Sequence, residues 1–366
     1  LTESGRIEFP QIDIEDGIVT AIEPGTPSDA TGTLTVASLD IHVHGAVNQD
    51  FMSADAAGIA AVGGFLAQRG VAFYLPTTVT GPIDPTLRAL ERLATAIEAG
   101  PAQAAATAVG IHLEGPFISH LKRGVHPTAS IQAPSVALFE RMQQAARGHI
   151  RLITLAPELP HALELIHHAT AAGVRISLGH SNATAAETRA AIAAGAASAT
   201  HLFNAMRPLD HREPGIAATI LDSDSVYAEA ICDGVHLDPA IVRLWLKMKG
   251  ETRAILVTDG ISATGMPEGT YQLGDFPVEV RGGVCTLLGS GTLAGSTLTM
   301  DAAIANVQRF TGISLAGATR LASRNPAAML GLPQLGRVGV GSPANFNLYD
   351  DAGKLTATML RGERIA

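Results

Sequence analysis

From residue 39 onward, short apolar runs alternate with longer Ala-rich stretches, and this alternation limits the fold more than any other feature of the chain. The runs are "LDIHVHG" (39–45), "VAFYLPTTVT" (71–80), "AVGIHLEGPF" (108–117), "IRLITLAPE" (150–158), "RISLGHSNA" (175–183), "SATHLFNAM" (198–206), "YAEAICDGVH" (227–236) and "RAILVTDGI" (253–261). Helix candidates between them include 55–69, 84–99, 134–146 and 160–172. Strands apolar on both faces, alternating with helices, predict a parallel sheet covered by helices. Eight such units in about 250 residues is the size of a (β/α)8 barrel. A doubly wound open sheet is the competing arrangement, but it ordinarily carries a Gly-rich phosphate turn after its first strand. Here that strand ends in "HVHG", with no GxGxxG.

The flanks read differently. Residues 1–36 alternate polar and apolar positions, with a hairpin signal at Asp16-Gly17, and the tail 334–366 does the same. The expectation is a small β-sandwich domain assembled from 1–36 and 334–366, beside a barrel spanning 37–333. A further β stretch, 270–293, follows the eighth strand.

Of the 366 residues 46% are hydrophobic and only 4% aromatic, which suits helices packed closely on a sheet. The net charge of −9 argues against a nucleic-acid or anionic-membrane surface. No signal-peptide pattern is visible, and no uncharged apolar run reaches the roughly 20 residues that span a bilayer. Two scattered cysteines, Cys232 and Cys285, exclude a disulfide scaffold and a cysteine-based zinc site, and a cytoplasmic, reducing setting fits them.

Chemistry gathers at the C-terminal ends of the predicted strands. The first gives His42 and His44, the third Glu114, the fifth His180, the sixth His201 and the eighth Asp259. Barrel enzymes build their active sites at that face, from the ends of different strands. His149, His161, His167 and His168 fall in helices or connections and read as solvated. Together Glu114, His180 and His201 form a set of two imidazoles and one carboxylate, a protein complement that leaves a catalytic metal an open position for water. Singly, Glu114 could be a cap or ion-pair partner and His180 could hold a turn. His42 and His44, on one face of a strand, read as ligands, or former ligands, of a metal beside that set. His112 lies one step deeper and reads as support for them. Asp259, in "LVTDG", could serve as a proton acceptor or cap the following turn.

The motifs "DIHVHG", "GIHLEGPF", "KRGVHP", "LGHSNA", "THLFNAMRPLDHREPG", "DGVHLD", "LVTDG", "LAGSTLTM" and "RNPAAMLGL" occur in that order. With them the chain, from about residue 17 to its end, resembles the N-acetylglucosamine-6-phosphate deacetylases of the amidohydrolase superfamily. The resemblance implies a divalent metal, zinc or iron, at Glu114, His180 and His201, with Asp259 as catalytic acid/base. It implies that Asn204, the backbone at Ala205, His236 and Arg212 hold the sugar phosphate, and that His126 contacts the sugar or its acetamide carbonyl. Family members that keep the His-x-His pair bind a second metal there, and this chain keeps it. The resemblance further implies a homodimer in which Arg212 reaches the neighbouring active site, although a loop arginine can equally be solvated. Ala37-Ser38 in place of Pro-Gly, and "ANFN" at 344–347 in place of "ADLV", depart from the pattern near the small β domain. The fourth strand has no lysine, which argues against carbamylated-lysine relatives.

The implied reaction is deacetylation of N-acetylglucosamine 6-phosphate to glucosamine 6-phosphate and acetate, in amino-sugar catabolism and cell-wall recycling. The galacto epimer is the nearest alternative substrate. A non-catalytic sugar-phosphate binder on the same scaffold is the rival of a different class, and it would have no need of a general base.

Overall fold

A computed structural model describes residues 5, 7–26 and 31–365. The parts of the expected N-terminal segment at 1–4, 6 and 27–30, and Ala366 at the other end, lie outside the described residues. Eight parallel strands form the barrel wall: Ser38–Val43, Val71–Thr78, Ile111–Glu114, Ile150–Leu155, Arg175–Leu178, Ser198–Ala199, Tyr227–Ala230 and Ala254–Leu256. Each is hydrogen-bonded to its neighbours in chain order. The first two are buried along their whole length, as strands must be when helices cover one face and the barrel core the other.

The helices owe their positions to apolar periodicity and local caps. Helix Ile83–Ala99 buries Thr86, Ala89, Leu90, Leu93 and Ala94, the three- and four-residue spacing of one helical face. Helix Ala185–Ala194 begins with a capping box between Thr184 and Glu187, which fixes the chain as it leaves the "GHSN" loop.

The first and eighth strands close the ring without a regular ladder. A single bridge joins Val43 to Gly260, and the Asp259 N–H donates to the His42 carbonyl at 2.9 Å. The buried Asp40 carboxylate adds a side-chain clamp, accepting from the Thr258 hydroxyl at 2.5 Å, the Thr258 N–H at 3.4 Å and the His42 N–H at 3.3 Å.

One expected strand is much shorter than its apolar run. The sixth ends at Ala199 because His201, Phe203 and Ala205 all adopt positive φ, turning "HLFNA" into a tight loop.

Strand Thr33–Val36 pairs antiparallel with Phe346–Tyr349, which continues through Leu355–Leu360 to Glu363–Arg364, so the two chain ends share one sheet. The hairpin Pro10–Glu15/Ile18–Pro24 turns at Asp16 and Gly17, both with positive φ, as a two-residue type I′ turn demands.

The β stretch after the eighth strand is a three-stranded antiparallel sheet, Gly269–Leu273, Phe276–Arg281 and Val284–Leu287. Its first turn is tied down by Asp50, whose carboxylate accepts from the Gly274 N–H at 2.7 Å. Gly274 has φ +55°, and a Cβ there would stand 2.8 Å from Val79, so a side chain would be both strained and crowded. Among the described residues no helix is long and apolar enough to cross a membrane.

Candidate active site

Six side chains converge at the C-terminal ends of the barrel strands. Glu114 stands at their centre. Its Oε1 lies 3.2 Å from both His180 Nε2 and His201 Nε2, and these two nitrogens are 3.1 Å apart. The same oxygen is 3.4 Å from His42 Nε2, and Oε2 is 3.3 Å from His44 Nε2. On the far side His42 Nε2 and His44 Nε2 are 3.2 Å apart, and Asp259 Oδ1 lies 3.4 and 3.2 Å from them. Two three-donor clusters therefore meet at one carboxylate. His180, His201 and Asp259 sit just beyond their strands at φ of +47°, +30° and +51°, a left-handed conformation that costs a non-glycine residue about 1–3 kcal/mol.

The protons show what the clusters suit. His180 Nδ1–H donates to the Lys122 carbonyl at 3.0 Å, so its Nε2 lone pair faces Glu114. His44 Nδ1–H donates to the Thr77 carbonyl at 3.2 Å, and His42 Nδ1 has the Glu229 carboxylate at 3.2 Å as its acceptor. Lone pairs and carboxylate oxygens thus point at one another, which only positive charge between them reconciles. Imidazole and carboxylate donors about 2.0–2.2 Å from a tetrahedral ion stand about 3.3–3.6 Å apart, close to the observed spacings. The residues present fit divalent ions.

His126 also lies near Glu114, with Nε2 3.6 Å from Oε2. It is not of the same kind. The Thr80 N–H donates to His126 Nδ1 at 3.2 Å, so the ring proton is on Nε2 and no lone pair faces the centre. Burial, helped by His180, lowers its pKa to about 3. His126 is a neutral hydrogen-bond donor aimed at the pocket.

Burial alone would raise the carboxyls of Glu114 and Asp259, yet His42 and its neighbouring imidazoles hold both low. Burial would likewise lower His42 and His44, but Asp259 and Glu114 outweigh it, raising His42 well above its ordinary value and His44 to about 9. His112 behaves oppositely: burial and the charge of His42 hold it far down. Its Nδ1–H donates to the Ile41 carbonyl at 3.1 Å, its Nε2 meets the Thr154 hydroxyl at 2.7 Å, and its ring packs edge-on to His42.

Above this floor is a pocket of about 340 Å³, within the range of small-molecule sites. Leu273 and Phe276 of the three-stranded sheet line one side, with Val79, Val125 and Leu293. Asn204, Ala205 and His236 line another. The Ala205 N–H has no partner among the described residues. His236 Nδ1 meets Asp233 at 2.7 Å, which raises the imidazole against the opposing effect of burial. Arg212 lies apart from these, exposed in the 208–213 loop, its N–H donating to Asp210 at 2.8 Å. A larger cavity, about 780 Å³, is lined by Phe9, Ile12, Ile22 and Leu34 around the terminal hairpin and shares no lining residue with this pocket.

Four supporting residues go unread in the sequence. Glu229 holds His42, Asp40 clamps the barrel joint, and Thr80 sets the His126 tautomer. Glu158 accepts from the Ser181 hydroxyl at 2.7 Å and the Asn182 N–H at 2.6 Å, holding the loop that carries His180. Asp40 carries a legible signal, since it shares the strand parity of His42 and His44. Glu229 does too, as a lone carboxylate in the run "YAEAI".

The amidohydrolase family model matches residues 33–365. The chain is 37% identical over 368 residues to N-acetylgalactosamine-6-phosphate deacetylase of Escherichia coli O157:H7, spanning 99% of this chain and 96% of that protein. It is 35% identical to N-acetylglucosamine-6-phosphate deacetylase of Bacillus subtilis, spanning 99% and 94%. A solved structure of a mutant N-acetyl-D-glucosamine-6-phosphate deacetylase from Mycobacterium smegmatis, in complex with N-acetyl-D-glucosamine-6-phosphate, aligns with a TM-score of 0.92 at 36% identity. That alignment covers 97% of this chain and 94% of the other.

Proposed function

The chain belongs to the amidohydrolase family, in the branch of the N-acetylglucosamine-6-phosphate deacetylases, and on that premise we propose how its pocket hydrolyses the acetamide of N-acetylglucosamine 6-phosphate. The reaction is metal-dependent and yields glucosamine 6-phosphate and acetate. The observation that carries this reading is the convergence of six ligand-type side chains beneath a pocket whose wall presents His236 and Asn204. We assign Glu114, His180 and His201 to one ion, and His42, His44 and Asp259 to the side of a second. Zinc and iron both suit imidazole and carboxylate.

A bound divalent ion supplies Lewis acidity and brings the pKa of water toward neutrality. In this reading Asp259 moves the proton. Its Oδ1 faces the two imidazoles, while the side chain keeps 10% of its surface open on the pocket side. It accepts the proton of the attacking water as the C–O bond forms and returns it to the nitrogen as the C–N bond breaks. His126 Nε2–H donates to the carbonyl oxygen as negative charge develops there. His236, whose cationic form Asp233 favours, and the Ala205 N–H take the phosphate and sugar oxygens, with Asn204 beside them.

Arg212 has no ion pair of its own among the described residues, and in this reading it serves the neighbouring active site of a homodimer. The setting is the cytoplasm, where a phosphorylated sugar is retained. Acetate release assayed against both N-acetylhexosamine 6-phosphates tests the substrate. The gluco epimer is expected to be preferred, and the E. coli relative makes the galacto epimer the second reading. Chelation should abolish turnover and leave the far-UV circular dichroism unchanged. Full activity in metal-free protein refutes the mechanism. Mixed dimers of Asp259→Asn and Arg212→Ala subunits should recover about half the wild-type activity per dimer if Arg212 acts in trans. No recovery in confirmed hybrids refutes that role.

A further inference from the structure

We infer that Glu229 is a positioning residue that ties the two halves of the metal centre to each other. The inference deepens the metal-dependent reading and rests on it. Glu229 lies inside the seventh strand with no exposed surface. Its Oε2 reaches two groups from different halves: His42 Nδ1 at 3.2 Å and the His201 N–H at 3.3 Å. Its backbone carbonyl accepts from the Leu202 N–H at 2.8 Å. One residue therefore fixes the tautomer of His42, whose Nε2 lone pair it turns toward His44 and Asp259, and the left-handed backbone at His201.

A purely structural role accounts poorly for a carboxylate here. Oε1 is buried and has no partner among the described residues. Burying a charge with so few donors is costly, and an apolar residue in its place is often neutral or stabilising. Glu114, Asp259 and Glu229 are all buried around one centre, and among the described residues none of them pairs with a lysine or arginine; their ion-pair partners are histidines alone. With the imidazoles neutral as ion ligands, these three carboxylates and the buried Asp40, which accepts from the His42 N–H, make four carboxylates at one centre. If all four are ionised, one divalent ion leaves that centre negative, whereas two balance it. Glu229 supplies one of these carboxylates, and it does so through the imidazole of the second site.

The test is zinc binding by Glu229→Gln, which keeps the shape and removes the charge. Zinc per chain is measured by elemental analysis, and affinity by competition with a chromophoric chelator. Wild-type protein should hold two ions. The variant should keep the tighter one and bind the weaker about 10–100-fold less tightly, the usual effect of removing a carboxylate behind a ligating histidine. The thermal midpoint of the metal-free protein should stay the same. Two ions bound with wild-type affinity, or equal weakening of both together with a lower metal-free midpoint, overturn the inference while the metal-dependent reading survives. Wild-type protein that binds one ion also overturns the inference alone, whereas wild-type protein that binds none overturns both. If the variant does not fold, nitrogen-15 spectra of zinc-loaded wild-type protein decide, with the His42 signals assigned by their loss in His42→Gln. A proton on His42 Nδ1 is the expected result, and a proton on Nε2 overturns the inference.

Discussion

Replacing His126 with Asn separates two roles that distance alone leaves open. The ring lies near Glu114, as a ligand would, yet the Thr80 N–H occupies its Nδ1 and leaves Nε2 carrying the proton. Asn can still accept from the Thr80 N–H, but nothing in it reaches the position of Nε2. On the proposed mechanism the loss is thus one preorganised donor to the developing oxyanion. Removing such a donor costs about 10²–10³ in kcat, or about 2.7–4 kcal/mol of transition-state stabilisation. With burial lowering its pKa to about 3, the ring is neutral around neutral pH, so the shape of the pH profile there should survive the substitution. The assay is acetate release, with kcat and KM determined separately and ions per chain measured on the same samples. A fall in kcat with unchanged metal content is expected. A kcat close to that of wild type, or loss of an ion, would refute the tautomer argument.

Asp259→Asn should lower kcat about 10²–10⁴-fold, the range of general acid-base catalysis, while the sugar phosphate still binds; normal turnover would make Asp259 a turn cap. Against the opposing effect of burial, Asp233 raises His236 above its ordinary value, so the imidazolium is lost only as pH rises past that raised pKa. Sugar-phosphate affinity should therefore climb as the phosphate becomes dianionic near about pH 6 and decline at higher pH. His236→Asn should erase the alkaline decline in a titration of Kd against pH, and an unchanged decline would place the phosphate elsewhere. Glu158→Ala leaves two loop donors without their acceptor and should destabilise the fold by about 1–3 kcal/mol. Thermal unfolding and zinc affinity should fall together, because His180 rides on that loop, and unchanged zinc affinity would separate them.

The legible part of this molecule is the part written in local pattern. The βα alternation predicts the barrel and its active face, and that alone places His42, Glu114, His180, His201 and Asp259 near one another. The sixth strand reads too long because "SATHLFNAM" is apolar enough for a strand, and composition does not show that three of its residues take positive φ. The supporting residues are hidden for another reason. Glu229 meets His42 across 187 positions, and Asp50 meets Gly274 across 224. No periodicity records such pairings. The sheet 269–287 is readable as β structure, but the Asp50 tether that ties its first turn beside the pocket is not.

The joint between the first and eighth strands has a consequence for how an ion would leave the centre. Asp40 and Thr258 meet across 218 positions, and closing a loop of that length costs about 5 kcal/mol of chain entropy. Besides the bridge at Val43 and Gly260, the joint is held by the Asp259 N–H on the His42 carbonyl and by the His44 and Gly45 N–H groups on the Gly260 carbonyl, an irregular seam rather than a ladder. His42 and His44 stand on one lip and Asp259 on the other, so whatever bonds all three also sutures the lips. On the proposed two-ion reading, release of an ion from that side would need His42 and His44 to part from Asp259 across this seam. The off-rate of an ion held there should then follow the opening rate of this gap, and hydrogen exchange at the amides of Thr258 and Asp259 would report the same clock.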